Sequence, residues 1–145
     1  MEEPRMPIRT RQLAHVCIFA DDLAATRDFY RDVLGMEVVF NFMRQGELHG
    51  FYLGANGRSH VEVFLKPEAE YGDRNAINHF CLEVESIDDA VAHIKGLGVP
   101  ITEKKYACDD TWQAWITDPN GVRIELFEYT PKSAQLVGGD RIADW

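Results

Sequence analysis

Two stretches decide how this chain folds: His15-Val16-Cys17-Ile18-Phe19-Ala20-Asp21-Asp22-Leu23 and His79-Phe80-Cys81-Leu82-Glu83-Val84-Glu85-Ser86-Ile87. Each is an apolar run of strand character with His and Cys two residues apart. Each ends in a polar turn whose last member, Asp22 or Ser86, suits a helix N-cap. Beyond the caps, Leu23, Thr26, Phe29, Tyr30 and Val33 recur at helical spacing, and so do Ile87, Ala90, Val91, Ile94 and Leu97. Both helical patterns stop at a glycine, in Leu34-Gly35-Met36 and Leu97-Gly98-Val99, where a left-handed residue closes a helix at little cost.

Working outward, strands are predicted around Glu37–Phe42 and Gly50–Leu53 in the first half, and around Ile101–Tyr106 and Gln113–Thr117 in the second. Turns at Ala55-Asn56-Gly57 and Asp118-Pro119-Asn120-Gly121 lead into the closing strands His60–Phe64 and Arg123–Phe127. The order β-α-β-β-β thus occurs twice, and the offset between halves stays at 63 to 64 residues throughout. Register held through a helix, a glycine and two hairpins marks a duplication. The expected fold class is α+β, with paired βαβββ modules over residues 12–65 and 77–129 inside one domain spanning 10–130. Lys66–Asn78, rich in Pro, Glu, Gly, Asp and Asn, reads as the linker between modules, and residues 131–145 as a C-terminal tail.

A length of 145 residues is enough to bury a real core. With 24 acidic against 15 basic side chains the net charge is -9, which argues against nucleic acid or an anionic membrane surface as a partner. No apolar run approaches the roughly 18 residues that cross a bilayer, and Met1-Glu2-Glu3-Pro4-Arg5 is followed by no secretory apolar region. Cys17, Cys81 and Cys108 lack zinc-ribbon spacing, so reduced thiols in a cytoplasm are expected. The expected partner is a small-molecule substrate.

The duplication pairs His15 with His79 and Glu62 with Glu125, with His and Glu 47 residues apart in the first half and 46 in the second. Alternation along a strand puts His15, Cys17 and Phe19 on one face, and His60, Glu62 and Phe64 on one face of the closing strand. A lone strand His is more often a hydrogen-bonded core or surface residue, and a Glu among valines more often faces solvent. Placement of all four at equivalent points of a repeat is what indicates a metal. Glu62 and Glu125 lie in the middle of apolar strands, where a carboxylate is costly unless a cation offsets it. Two imidazoles and two carboxylates suit one divalent ion of Ni, Co, Zn, Mn or Fe, with positions left open for substrate.

The stretches "DFYRDVLGM" (residues 28–36) and "DPNGVRIELFE" (residues 118–128), with "HVEVFL" and "NHFCLEVESIDDAVAHIKGLGVPI", resemble the glyoxalase, bleomycin-resistance and extradiol-dioxygenase superfamily, also called vicinal oxygen chelate proteins. The resemblance runs from Leu13 to Tyr129. It implies paired modules whose sheets form a U-shaped cup around a metal site. The His…Glu…His…Glu set is most similar to glyoxalase I (lactoylglutathione lyase). There a hemithioacetal chelates the metal and a carboxylate moves a proton between neighbouring carbons. Carried over by position, Glu125 is the leading base and Glu62 its counterpart.

The resemblance departs at two places, since Phe19 and Lys66 stand where bacterial glyoxalases commonly carry an Arg and an Asn for glutathione. A related metal-dependent isomerase or lyase fits equally. Methylmalonyl-CoA epimerase usually has Gln in place of Glu62. Fosfomycin-type transferases and dioxygenases use a His-His-Glu triad, with Tyr where this chain has Trp115. Drug-binding resistance proteins generally lack the ligand set. Among other residues, Cys17 and Cys81 are expected to be small buried hydrophobes. His49, His60 and His93 are expected at the surface or in hydrogen bonds, and Trp112, Trp115, Phe64 and Phe127 in the core or cup walls. Asp109-Asp110 reads as a solvated turn. A homodimer is expected, because a paired-module sheet leaves an edge and an apolar face to cover.

Overall fold

The computed structural model describes Leu13, residues 15–55, 57–66, Ile77, residues 79–140 and Ile142. Most of the expected linker, and Asn56 of the first turn, lie outside the described residues. The first module is β1 (His15–Ala20), α1 (Leu23–Asp32), β2 (Glu37–Arg44), β3 (Glu47–Gly54) and β4 (His60–Leu65). The second is β5 (Phe80–Glu83), α2 (Ile87–Gly96), β6 (Lys105–Tyr106), β7 (Thr111–Thr117) and β8 (Arg123–Tyr129), followed by α3 (Ala134–Val137).

The strands form two four-stranded mixed sheets, ordered β1-β4-β3-β2 and β5-β8-β7-β6. In each, the module's first strand runs parallel to its last, and the remaining pairs are antiparallel. The α+β paired-module fold expected from the repeat is therefore the one adopted.

The local signals act as their chemistry dictates. The Asp22 carboxylate accepts from the Ala25 N–H at 3.0 Å and the Ser86 hydroxyl from the Asp89 N–H at 3.2 Å, each satisfying an otherwise unpaired donor of the first turn. Gly35 at φ +67° and Gly98 at φ +73° end the helices, and the Met36 N–H reaches back to the Tyr30 carbonyl. β2 and β3 extend beyond the expected bounds and meet at Gln45-Gly46, both at positive φ, as a two-residue hairpin turn requires. The second module departs in the other direction, because β6 starts only at Lys105 and not near Ile101. There the Thr102 hydroxyl takes the Trp115 N–H at 2.9 Å, a bond that a regular ladder gives to a backbone carbonyl.

One core joins the modules. Tyr30 of α1, with Val33 and Met36 just after it, packs in the same cluster as Val61 and Val63 of β4, Ile87 and Ile94 of α2, and Ile124 and Leu126 of β8. A polar latch reinforces it. The Tyr30 hydroxyl donates to Asp118 at 2.9 Å, and the other Asp118 oxygen accepts the Asn120 and Val122 N–H groups at 2.8 Å each. The Asn120 amide donates to the Thr26 hydroxyl at 3.0 Å, and His93 Nε2 meets the Asp32 carbonyl at 3.1 Å. Each sheet thus turns one face to the common core, and alternation sends the intervening residues to the opposite face.

Candidate metal centre

The parallel pairing of first and last strands is what brings the repeated His and Glu together. In the first module His15 stands opposite His60 and Cys17 opposite Glu62, so the imidazole and the carboxylate are diagonal neighbours on one face. His15 Nε2 lies 3.8 Å from Glu62 Oε1. In the second module His79 Nε2 lies 3.2 Å from Glu125 Oε2. Val61, Val63, Ile124 and Leu126 on the same strands are buried in the core, so both His–Glu pairs sit on the faces turned away from it.

The sequence leaves open whether the four ligands meet within one chain or across a dimer, and among the described residues of one chain they do not gather in one cluster. Among the described residues no three His, Cys, Asp or Glu side chains gather closely enough to hold a metal ion. The four predicted ligands form two pairs, one per module, because the modules share a core through their helix-bearing sides. Each pair supplies one imidazole nitrogen and one carboxylate, which fits half of the donor set.

The two pairs have diverged. In the first, the Tyr52 hydroxyl and His15 Nδ1 share a hydrogen bond of 2.9 Å, which leaves Nε2 directed at Glu62. Tyr52 pairs with Glu62 across the β3–β4 ladder, and Trp115 pairs with Glu125 across the β7–β8 ladder. Trp115 meets His79 edge to face at 4.7 Å and lies under the Arg123 guanidinium at 4.6 Å. Sequence reasoning passed over Tyr52, although its place ten residues before Glu62, matching Trp115 before Glu125, marks it as the repeat equivalent.

Electrostatics single out the second pair. Glu125 is only 5% exposed. Burial, reinforced by the charge of Asp109 and opposed by Arg123, pushes its carboxyl up to about 7. Burial and the neighbouring Arg123 charge push the His79 imidazole down. Asp109 is no freely solvated turn residue. One of its oxygens accepts from the Thr111 hydroxyl at 2.7 Å and the other from the Gln135 amide at 2.8 Å. Burial alone would raise Asp109, but these hydrogen bonds outweigh it and hold the carboxyl below its ordinary range. The tail residue Ser133 also donates to the Asp110 carbonyl at 2.8 Å, so the C-terminal segment fixes this loop.

Cys17 and Cys81 are exposed, contrary to the expectation of buried hydrophobes, because they share the outward face with the carboxylates. Burial around its sulfur, with Glu125, Asp109 and Glu83 nearby, pushes the Cys81 thiol up to about 12, so in the metal-free protein it stays protonated near neutral pH. His60 lies tilted beside Tyr52 at 4.9 Å, His49 lies beside Phe64 at 5.6 Å, and His93 joins the helices.

Residues 12–126 match the family described as the Glyoxalase/Bleomycin resistance protein/Dioxygenase superfamily. The chain is 28% identical over 131 residues to the uncharacterized protein YaeR of Escherichia coli, covering 81% of this chain and 96% of that one. It is 30% identical over 119 residues to 2,2',3-trihydroxybiphenyl dioxygenase of Sphingomonas paucimobilis, covering 79% of this chain but only 40% of the dioxygenase. Among solved structures it is similar to lactoylglutathione lyase from Agrobacterium tumefaciens, with a TM-score of 0.63 and 23% identity over 82% of this chain and 94% of that one. It is also similar to a trypanothione-dependent glyoxalase I from Leishmania major, with a TM-score of 0.67 and 25% identity over 82% of this chain and 87% of that one. No described helix is long and apolar enough to cross a membrane.

Proposed function

The chain belongs to the glyoxalase/bleomycin resistance protein/dioxygenase superfamily, and from that premise we propose a cytoplasmic, metal-dependent lyase or isomerase of glyoxalase type, acting on a small oxygenated metabolite. The observation that carries the reading is the repeated His–carboxylate pair, His15 with Glu62 and His79 with Glu125. Superfamily membership alone selects a fold and not a reaction; the donor chemistry goes further. Two imidazoles and two carboxylates match the preferences of divalent Ni, Co, Zn, Mn or Fe. A bound metal of this kind polarises the substrate's neighbouring oxygens and acidifies the C–H beside them.

Glu125 then takes the proton from that carbon and returns it to the adjacent carbon. No proton is lost, and no outside oxidant or reductant is needed. Glu62 completes the donor set from the other module. Phe19 and Lys66 offer none of the usual glutathione contacts, so the substrate is held through other features.

Because each pair lies on a face turned from the common core, the proposed site takes its full donor set from two copies of the chain. His15 and Glu62 come from one copy, His79 and Glu125 from the other, giving a homodimer with two equivalent sites. The test is metal content, then turnover. Wild-type protein purified without chelator is expected to carry near-stoichiometric metal, and His15→Ala and His79→Ala to lose it. Co-expressing the two variants regenerates one intact site in each mixed dimer, restoring about a quarter of wild-type metal for random assortment. No recovery would overturn the shared site. No metal under any loading would overturn the enzyme reading. Turnover of methylglyoxal with glutathione would establish a glyoxalase; metal without it keeps the site and discards that substrate. The likeness to a ring-cleaving dioxygenase makes oxygen consumption on catechols the assay for the second reading.

A further inference from the structure

The polar latch between the modules is present on one side of the repeat and missing on the other. On one side the turn before β8 meets α1, where the Tyr30 hydroxyl donates to Asp118 at 2.9 Å and the Asn120 amide donates to the Thr26 hydroxyl at 3.0 Å. The helices superpose at the offset that takes Asp22 to Ser86, which puts Ile94 at the place of Tyr30 and Ala90 at that of Thr26. The closing strands superpose at the offset that takes Glu62 to Glu125, which puts Ala55 at the place of Asp118 and Gly57 at that of Asn120. Four hydrogen-bonding side chains are thus matched by four positions that carry none.

A cavity of about 500 Å3 lies where the second latch would stand, walled by Ala55, Ala90 and Ile94 and continued by Leu82, Val84 and Leu126. The strand beside it shows the same asymmetry. Ile18 and Ala20 of β1 are buried, whereas their equivalents Leu82 and Val84 are only partly buried. A Cβ on Gly57 would meet nothing within 4 Å, so the turn leaves the space open on its own side. His15, Glu62, His79 and Glu125 do not line the cavity. Its inner wall, Ile94 and Leu126, belongs to the common core, on the side of the sheets away from both His–Glu pairs.

The volume is that of a small-molecule pocket, and the walls define what fits. A charge set among Leu82, Ile94 and Leu126 would give up its hydration without a partner. Glu83 also lines the cavity, and its carboxylate disfavours an anion in particular. A polar contact is available at Ser59, whose hydroxyl donates to the Leu13 carbonyl at 2.7 Å and whose oxygen keeps its capacity to accept.

We propose that this cavity is a binding site, separate from the candidate metal centre, for a neutral molecule about the size of a tyrosine side chain that carries one hydroxyl. Its apolar body takes the space that Tyr30 fills in the other half, and its hydroxyl bonds at the Ser59 end. Occupied, the seam between the turn before β4 and α2 is closed as the latch closes its counterpart. The site does not depend on the function proposed above.

The probe is p-cresol, the tyrosine side chain as a free molecule, titrated into the full chain in metal-free, methyl-labelled form. Resonance shifts at Leu82, Val84, Ile94 and Leu126 are expected, with a Kd of about 0.1 to 1 mM. Toluene, which lacks the hydroxyl, should bind about threefold to tenfold more weakly, and the anion p-toluate should not shift these methyls. Ala90→Leu fills the cavity from α2 and Ala55→Leu fills it from the turn. Each should abolish the p-cresol shifts and leave metal uptake as in wild type. Ala55 is exposed, so the second variant keeps the test decisive should the first fail to fold.

No shifts at these methyls with p-cresol at about ten times the expected Kd would overturn the site. Shifts that persist in the filling variants would overturn it as well, because the probe would then lie elsewhere. Toluene or p-toluate binding as tightly as p-cresol would overturn the ligand class.

Discussion

Replacing Glu125 by Gln should make the metal-free protein more stable in mild alkali, and the size of the gain follows from the site. Burial and Asp109 push this carboxyl from 4.5 to about 7 in the folded protein. A group whose folded value is raised favours folding while protonated. Its contribution is complete below about 4.5 and is lost as pH climbs through about 7. At 1.36 kcal/mol per unit, that interval sets an upper limit of about 3 kcal/mol. His79 works in the opposite sense. Its lowered value makes it lose stability as pH falls below its ordinary range. Because His79 lies 3.2 Å from Glu125, the comparison is read above pH 7, where the imidazole is neutral in both proteins and the difference reports the carboxylate. Urea unfolding in chelator at pH 5, 6, 7, 8 and 9, at one protein concentration, should show the variant gaining on wild type as pH rises. Parallel profiles would refute the reasoning, because they would mean that Glu125 ionises as freely in the fold as in the open chain. Adding metal at pH 8 should reverse the order, since a cation favours the ionised carboxylate that the bare site disfavours.

Tyr52→Phe should lower metal affinity about tenfold without unfolding the protein. Ligation through His15 Nε2 needs the proton on Nδ1, where it donates to the Tyr52 oxygen, so nitrogen resonances of the metal-free ring should report a shifted tautomer. Tyr30→Phe removes the 2.9 Å bond to Asp118 and should cost about 1 to 3 kcal/mol in denaturant unfolding; an unchanged midpoint would mean that the latch between modules adds nothing. Gly50→Ala would set a methyl 2.2 Å from the Val63 carbonyl oxygen and should destabilise by about 3 kcal/mol or prevent folding, while Gly57→Ala meets no neighbour and should cost less, through its φ of +98° alone.

The repeat was legible because its signals are local. Helix caps at Asp22 and Ser86, glycine stops at Gly35 and Gly98, and alternation around Glu62 and Glu125 each declare themselves within a few residues. The pairing of His15 with Glu62 followed from the duplication, because equivalent strands must meet in equivalent ways. What stayed hidden depends on surfaces that alternation cannot rank. Nothing along the strands says which sides of two sheets share a core, so the separation of the ligands into two pairs could not be read. The exposure of Cys17 and Cys81 has the same origin: parity put them on the ligand face, but only the packing shows that this face is open. Asp109 gained its role from Gln135, in a tail with no repeat partner to interpret it. The short β6 turned on one hydroxyl, Thr102, displacing a carbonyl from the ladder.

A duplicated unit begins with two equal halves, and here the same skeleton has been specialised in opposite ways. At the position across from each glutamate one module places Tyr52 between two glycines, and the other places Trp115 between Gln113 and Thr117. The first choice yields a hydroxyl that shares a hydrogen bond with His15. The second yields a crowded wall that shields Glu125 and, with Asp109 fixed behind it, favours its protonated form. In the function proposed above the two carboxylates therefore work in unlike surroundings, Glu62 across from Tyr52 and Glu125 across from Trp115.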